Sequence, residues 1–423
     1  MRALLAIAWE SAWNRRFTLA LTLLSIALAT VLLLGTERLR TELRANFSSA
    51  VSGTDLIVGA RTGSTQLLLY SVFRIGSATN SMRWDSVQAL KAQPRVAWVV
   101  PISLGDSHRG FPVLATTPDY FTHFRYGAKQ PLALREGRPF DALFDAVLGA
   151  DVAEQLGYAL GQSITLAHGA GVTSGPLATE HGDKPFTVVG ILARTGTPVD
   201  RTVHIGLQAM EAIHLDWVGG APMPGLKIPA EQVRKFDLTP KSVTATLVGL
   251  QSRAAVFSVQ RWISTYGGEP LMGILPGVAL DELWQVIGAG EKALLAMSAL
   301  VGIVSLAGLV SVVLAGLNER RRELAVLRAV GAGPWHVLAL LALEGALVTA
   351  LGVLLGTALA AAGIALLGPW LQAQHGLALS LHAPTAQEWL LAGAVLLAGW
   401  LASLLPGIRA YRLSLADGLS PRI

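Results

Sequence analysis

The sequence predicts an α-helical membrane protein with four transmembrane helices and a large α+β extracytoplasmic domain inserted between helices 1 and 2. Three observations predict it. Charged residues make up 14% of the 423-residue chain and hydrophobic ones 52%, where a soluble globular chain carries roughly 25% charged residues. Four apolar runs are each long enough to cross about 30 Å of hydrocarbon as helix. The basic residues gather beside these runs rather than across the surface of a domain.

The runs are 17–35, uninterrupted by charge; 293–317; 337–367, which holds a single charge, Glu344; and 389–405. Trp335, Trp370 and Trp389 fall near run ends, where indole rings favour the membrane interface. A cleaved signal peptide competes for the first run, because Arg15 and Arg16 precede it and Ala27, Leu28 and Ala29 imitate a cleavage site. The apolar run continues to Leu34, past that site. The preceding segment 1–16 is long for a leader and reads as a cytoplasmic interfacial helix with Leu4, Leu5, Ala8, Trp9 and Ala12 on one face.

Orientation follows from the flanks. Arg2, Arg15 and Arg16 precede the first run; Arg320, Arg321, Arg322 and Arg328 lie in the 318–336 loop; Arg409, Arg412 and Arg422 lie in the 406–423 tail. The 368–388 loop has no Lys or Arg. The positive-inside rule therefore places both termini and the 318–336 loop in the cytoplasm, and segments 36–292 and 368–388 outside.

Segment 36–292 alternates short β-rich runs, such as 55–58, 96–100, 111–114, 186–192 and 243–248, with helical patterns at 84–91, 151–156 and 253–266. That alternation predicts an α+β domain. The Gly-, Ser- and Thr-rich stretch 170–183 reads as a hairpin or mobile loop, and the Gly/Pro-rich 219–229 as a loop. At the two ends, Leu39, Leu43 and Phe47, and then Leu280, Leu283, Trp284 and Ile287, recur at helical spacing. They read as stalk helices continuing runs one and two, or as ordinary juxtamembrane amphipathicity.

Several function classes are excluded. The isoelectric point near 9.6 rests on a formal net charge of only +5, and no Lys/Arg block interleaves with aromatics, so nucleic acid is not an expected partner. There is no cysteine, hence no disulfide or thiolate site. No Walker A loop, GxSxG or HExxH occurs, so no nucleotide cradle and no catalytic set is expected in this chain. The nine histidines are scattered. His204, His214 and Asp216 come nearest to a metal set, but core or surface roles suit each better, and the expectation is no metal site.

The most informative stretch is 318–356, NERRRELAVLRAVGAGPWHVLALLALEGALVTALGVLLG. Asn318 is a plausible N-cap, Leu324, Leu327 and Val330 make a short apolar stripe on an Arg-rich helix, and Gly331 ends it. Such a basic amphipathic helix lies on anionic lipid or plugs into a partner's groove. Glu344, early in run three, is expensive in a bilayer and reads as paired inside the helix bundle. Gly352 and Gly356 make a GxxxG step, with Gly345 before them, that permits close helix packing within the chain or at a dimer seam.

This stretch resembles the hallmark of the FtsX/MacB-type ABC transporter permeases. The match falls on Glu319, Arg320, Arg322, Glu323, Leu327, Arg328, Gly331, Ala332, Glu344, Gly352 and Gly356. PGIRA (406–410) with LADGL (415–419) resembles the family's closing motif. VLGADVAEQLGYALGQSITL (147–166) and FTVVGIL (186–192) look like the MacB-like periplasmic core domain, shared with the lipoprotein-releasing LolC and LolE. The resemblance implies a permease subunit of the bacterial inner membrane with a periplasmic domain. Its coupling helix (Glu319, Arg320, Arg322, Glu323, Leu324, Leu327, Arg328, Gly331) would dock on a separate cytoplasmic ABC ATPase, where ATP and magnesium bind; no cofactor is expected on this chain. It implies a second permease copy, as homodimer or heterodimer, contact with membrane lipid, and a periplasmic adaptor or substrate protein. The action implied is mechanotransmission for export or release of lipoprotein, peptide or drug. The alternative is an FtsX-like regulator or signalling scaffold.

Overall fold

The computed structural model describes residues 16–50, 52–169, 181–218, 221–223, 225–319, 331–375, 379 and 381–412. Two compact units form. One comprises Met1–Glu42, Gly288–Trp370 and Leu379–Ile423; the other comprises Leu43–Ile287 with Leu371–Ala378.

The first unit is helical. Its elements belong to α1 (Arg16–Ala50), α8 (Pro276–Glu319), α9 (Pro334–His375) and α10 (Ala386–Arg412), among the described residues four helices long and apolar enough to cross a membrane. Each outruns its apolar run. Helix α1 continues through Glu37 and Arg40, whose side chains pair at 2.6 Å across one turn, at the i,i+3 spacing that favours a helix. Helix α9 carries on past residue 367, so part of the expected 368–388 loop is helical. Helix α10 starts on a capping box: the Thr385 N–H donates to Glu388 Oε2 (2.7 Å) and the Glu388 N–H donates to Thr385 Oγ1 (3.3 Å).

The second unit is the inserted α+β domain. Its main sheet has eleven strands: β1 (Leu56–Ala60), β2 (Val96–His108), β3 (Phe111–Thr116), β4 (Leu134–Gly137), β5 (Asp145–Leu148), β6 (Ser163–Ile164), β7 (Ala167–His168), β8 (Phe186–Leu192), β9 (Val203–Gly206), β10 (Ala245–Leu250) and β11 (Leu271–Ile274). The spatial order is β11-β1-β10-β2-β3-β9-β5-β8-β4, with β7 beside β2 and β6 beside β8. Among the described residues, β3 with β9 and β5 with β8 are the parallel pairs; the other ladders of this sheet are antiparallel.

Alternate residues along a strand face opposite sides of a sheet, and here both sides are buried. Leu56, Val58, Val113, Ala115, Ala146, Leu148, Val203 and Ile205 feed one core. That core is covered by α3 (Trp84–Lys91), α5 (Ala150–Leu156), α6 (Leu207–His214) and α7 (Val256–Ser264). Ile57, Val100, Ile102, Leu114 and Val147 feed the other, packed by the helical turns α2 (Ser64–Leu68) and α4 (Asp119–His123) and by Ala279, Leu280 and Leu283 near the start of α8. The arrangement of four apolar helices and an α+β domain between the first two is the architecture the sequence predicts.

Candidate functional site

Helix α9 carries the small residues that set the packing of the membrane unit. A Cβ built on Gly352 would lie 2.8 Å from Ile26 Cγ2, and one on Gly356 would lie 2.6 Å from the Ala27 carbonyl oxygen. Both contacts are with α1, so this GxxxG step is a seam within the chain. Gly345 faces α10 instead, where a Cβ would collide with Ser403. Ser403 is fully buried, and its hydroxyl donates to the Ala342 carbonyl (3.3 Å). Glu344 is half-buried. Leu309 and Val313 of α8 close the bundle against Val337 and Leu341 of α9. Toward the far ends of these helices, Arg38, Glu42, His382 and Glu388 join up: His382 Nε2 lies 2.9 Å from Glu42 Oε1, Arg38 donates to the His382 carbonyl (2.7 Å), and Arg38 lies 3.7 Å from Glu388.

Of the expected coupling residues, Arg320, Arg322, Glu323, Leu324, Leu327 and Arg328 lie outside the described residues. Glu319 is the last residue of α8, and Gly331 takes a left-handed backbone, φ +103°, which glycine adopts without the steric penalty a Cβ brings. Segments 1–15, 170–180 and 413–423 are likewise outside the described residues.

The MacB-like periplasmic core domain matches residues 19–265, more than half of the chain, and the FtsX-like permease C-terminal domain matches residues 295–415. The chain belongs to the FtsX/MacB-type permease family. The periplasmic region of MacB from Actinobacillus actinomycetemcomitans is similar at 12% identity and a TM-score of 0.33, covering 56% of this chain and 95% of that one. The extracellular domain of the noncanonic ABC-type transporter YknZ from Gram-positive bacteria is similar at 13% identity and a TM-score of 0.29, covering 52% and 99%. No curated protein matches the chain.

The MacB-like domain also brings together residues that sequence reasoning did not connect. His204, His214 and Asp216 do not form a set. His204 lies on β9 between Val203 and Ile205, so alternation turns it to the opposite face of the sheet, fully buried, with its ring 5.5 Å from Tyr120. Burial, helped by the nearby Arg74 guanidinium, pushes its pKa down to about 3. Asp216 accepts from the buried ammonium of Lys184 (2.7 Å) and from the Ile228 N–H (3.1 Å). Burial works against its charge, but the Lys184 bond prevails and its pKa is lowered.

His214, at the C-terminus of α6, instead joins Asp106, His168 and His181, with one ligand-capable atom from each lying within 4.8 Å of all the others. A bulge in β2 between Leu104 and Ser107 re-aims Asp106. His168 is its register partner on β7. His168 Nδ1 lies 3.1 Å from both Asp106 Oδ1 and His214 Nε2; His214 Nε2 lies 3.6 Å from Asp106 Oδ1, and His181 Nε2 3.8 Å from Asp106 Oδ2. Trp217 covers the group, its ring 4.1 Å from that of His181. Burial would raise the Asp106 pKa, but the adjoining His168 and His214 rings win and hold it near 2. Burial dominates at His181 and pushes it down to about 4, against the pull of Asp106. At His214 burial is outweighed by contact with Asp106, and its pKa is raised. The four residues are far apart in sequence, so only the fold reveals the group.

Proposed function

We propose that this chain is the membrane subunit of a MacB- or LolCDE-like ABC transporter of the bacterial inner membrane. A separate cytoplasmic ATPase hydrolyses ATP, two permease copies pair, and the motion is transmitted to the periplasmic domains to move a substrate such as a lipoprotein, peptide or drug. The observation that carries this reading is the ordered pair of family matches, a MacB-like core followed by an FtsX-like permease unit that contains the Arg-rich 318–331 segment. The chain has no phosphate-cradling loop, so ATP turnover belongs to the partner. Helices α1 and α8, each continuous well beyond its apolar run, suit a mechanical linkage.

The coupling helix is where the reading is tested. Leu324 and Leu327 would bury apolar area in the ATPase, worth about 1.5–3 kcal/mol each when fully buried. Leu324→Asp combined with Leu327→Asp is expected to abolish recovery of an ABC ATPase with the tagged permease in mild detergent, while protein level in the membrane is unchanged. Undiminished recovery of the ATPase with the double variant, or steady ATP hydrolysis by the purified chain alone, would overturn the assignment.

A further inference from the structure

We propose that Asp106, His168, His181 and His214 bind one divalent transition-metal ion of the zinc type. The donor spacing carries the proposal. A tetrahedral site with bonds of about 2.0–2.1 Å holds its ligand atoms about 3.3–3.4 Å apart. Asp106 Oδ1, His168 Nδ1 and His214 Nε2 stand 3.1, 3.1 and 3.6 Å apart, which brackets that edge; His181 Nε2 lies 3.8 Å from the other Asp106 oxygen, and the four donors lie within 4.8 Å of one another. Small side-chain shifts would bring the four atoms onto one ion.

A second observation is independent of the spacing. His181 is fully buried, and neither of its ring nitrogens has a hydrogen-bond partner among the described residues; nor has either oxygen of the buried Asp106 a well-aligned one. Buried polar atoms are ordinarily satisfied, because one left bare carries its desolvation cost with nothing to offset it. Of these atoms, His181 Nε2 and the Asp106 carboxylate face each other across the group, and an ion held between them would satisfy both.

The surroundings suit a metal. His214 Nδ1 lies 2.8 Å from the Met210 carbonyl oxygen. Donation to that carbonyl fixes the tautomer in which Nε2 turns its lone pair into the group, the arrangement that orients metal-bound histidines. Three imidazoles and one ionised carboxylate, with no cysteine in the chain, match a borderline ion such as zinc rather than soft copper(I) or a hard alkaline-earth cation. With all four positions taken by side chains, the site is of the closed, structural kind. The ion would tie the β2 bulge, β7, the 181–184 segment and the end of α6 into one unit, making the tightness of this part of the domain depend on metal supply.

The test uses the full chain purified in detergent without a polyhistidine tag, stripped with a chelator and dialysed. Zinc titrated against a chromophoric competitor should bind at about one ion per chain. Co2+ in its place should give the intense visible bands of tetrahedral coordination, and Zn2+ should raise the thermal midpoint. His181→Ala and Asp106→Asn should each weaken zinc by more than about 100-fold, beyond the 10–100-fold typical of losing an outer-sphere partner. His204→Ala, on the other face of the sheet, should leave zinc binding unchanged. A wild-type chain that takes up no stoichiometric zinc, or that binds Co2+ only as the pale octahedral ion, overturns the proposal. So do ligand variants that bind as well as His204→Ala. Should the ligand variants fail to fold, the wild-type stoichiometry and Co2+ spectrum decide alone.

Discussion

Lys184 is fully buried, and its ammonium lies 2.7 Å from Asp216 and 3.1 Å from Asp183. Asp216→Ala removes the closer carboxylate and leaves a cation in a low-dielectric interior. Breaking a buried pair in this way costs about 3–5 kcal/mol. Asp183, partly exposed, still answers some of the charge, so the lower end, about 3 kcal/mol, is expected. For a domain of this size, each kcal/mol moves the thermal midpoint by roughly 2–4 °C, which gives a fall of about 6–12 °C. Replacing both members with apolar residues of similar size, Lys184→Met with Asp216→Leu, removes the desolvation penalty along with the attraction and should recover most of the loss. The assay is thermal unfolding of the purified full chain in detergent, followed by tryptophan fluorescence. Trp217 adjoins Asp216 in sequence and reports on this region. A single-variant shift under about 2 °C would show that the pair is solvated in solution; a double variant no better than the single one would mean that packing, not charge, holds the segment.

Two further outcomes follow from buried groups elsewhere. His204 stays neutral in the fold down to about pH 3, whereas an unfolded histidine takes its proton near pH 6.5. Between those values the unfolded chain binds the extra proton, so stability falls as pH drops from about 6.5 toward 3, by up to roughly 5 kcal/mol; His204→Phe should flatten that slope in midpoint-versus-pH curves, and an unchanged slope would rule His204 out as its source. In the membrane unit, Gly356→Leu drives a side chain into the α1 backbone at Ala27 and should cost on the order of 2–3 kcal/mol, seen as loss of monodisperse protein in detergent, while Gly363→Leu, with no atom in the way, should be tolerated; equal yields for both would dissolve the α1–α9 seam.

The membrane helices were legible because hydrophobicity acts over some twenty residues at a time, and no short-range accident can imitate it. The strands 96–100, 111–114 and 186–192 were legible for a related reason, since each is a run of β-branched and apolar residues bounded by turn formers. The strands Asp145–Leu148, Val203–Gly206 and Leu271–Ile274 were not. They are four residues long and buried almost throughout, and a run so short cannot be told from a helical fragment by period. Helix α6 was not read from the sequence either, although it is as long as the 84–91 helix that was.

The same limit explains the histidines. Sequence proximity nominated His204, His214 and Asp216, and each link failed for its own physical reason. His204 belongs to a strand whose alternation turns it to the far face of the sheet. Asp216 is occupied by an ammonium that needs it more. What His214 meets is decided by a bulge at Asp106 and by strand pairing at His168, features set by which strands lie side by side. Helical spacing can be read from neighbours along the chain. A group assembled from a bulge, a two-residue strand, a turn and a helix end is written in the topology of the sheet, and becomes readable only once the order of its strands is known.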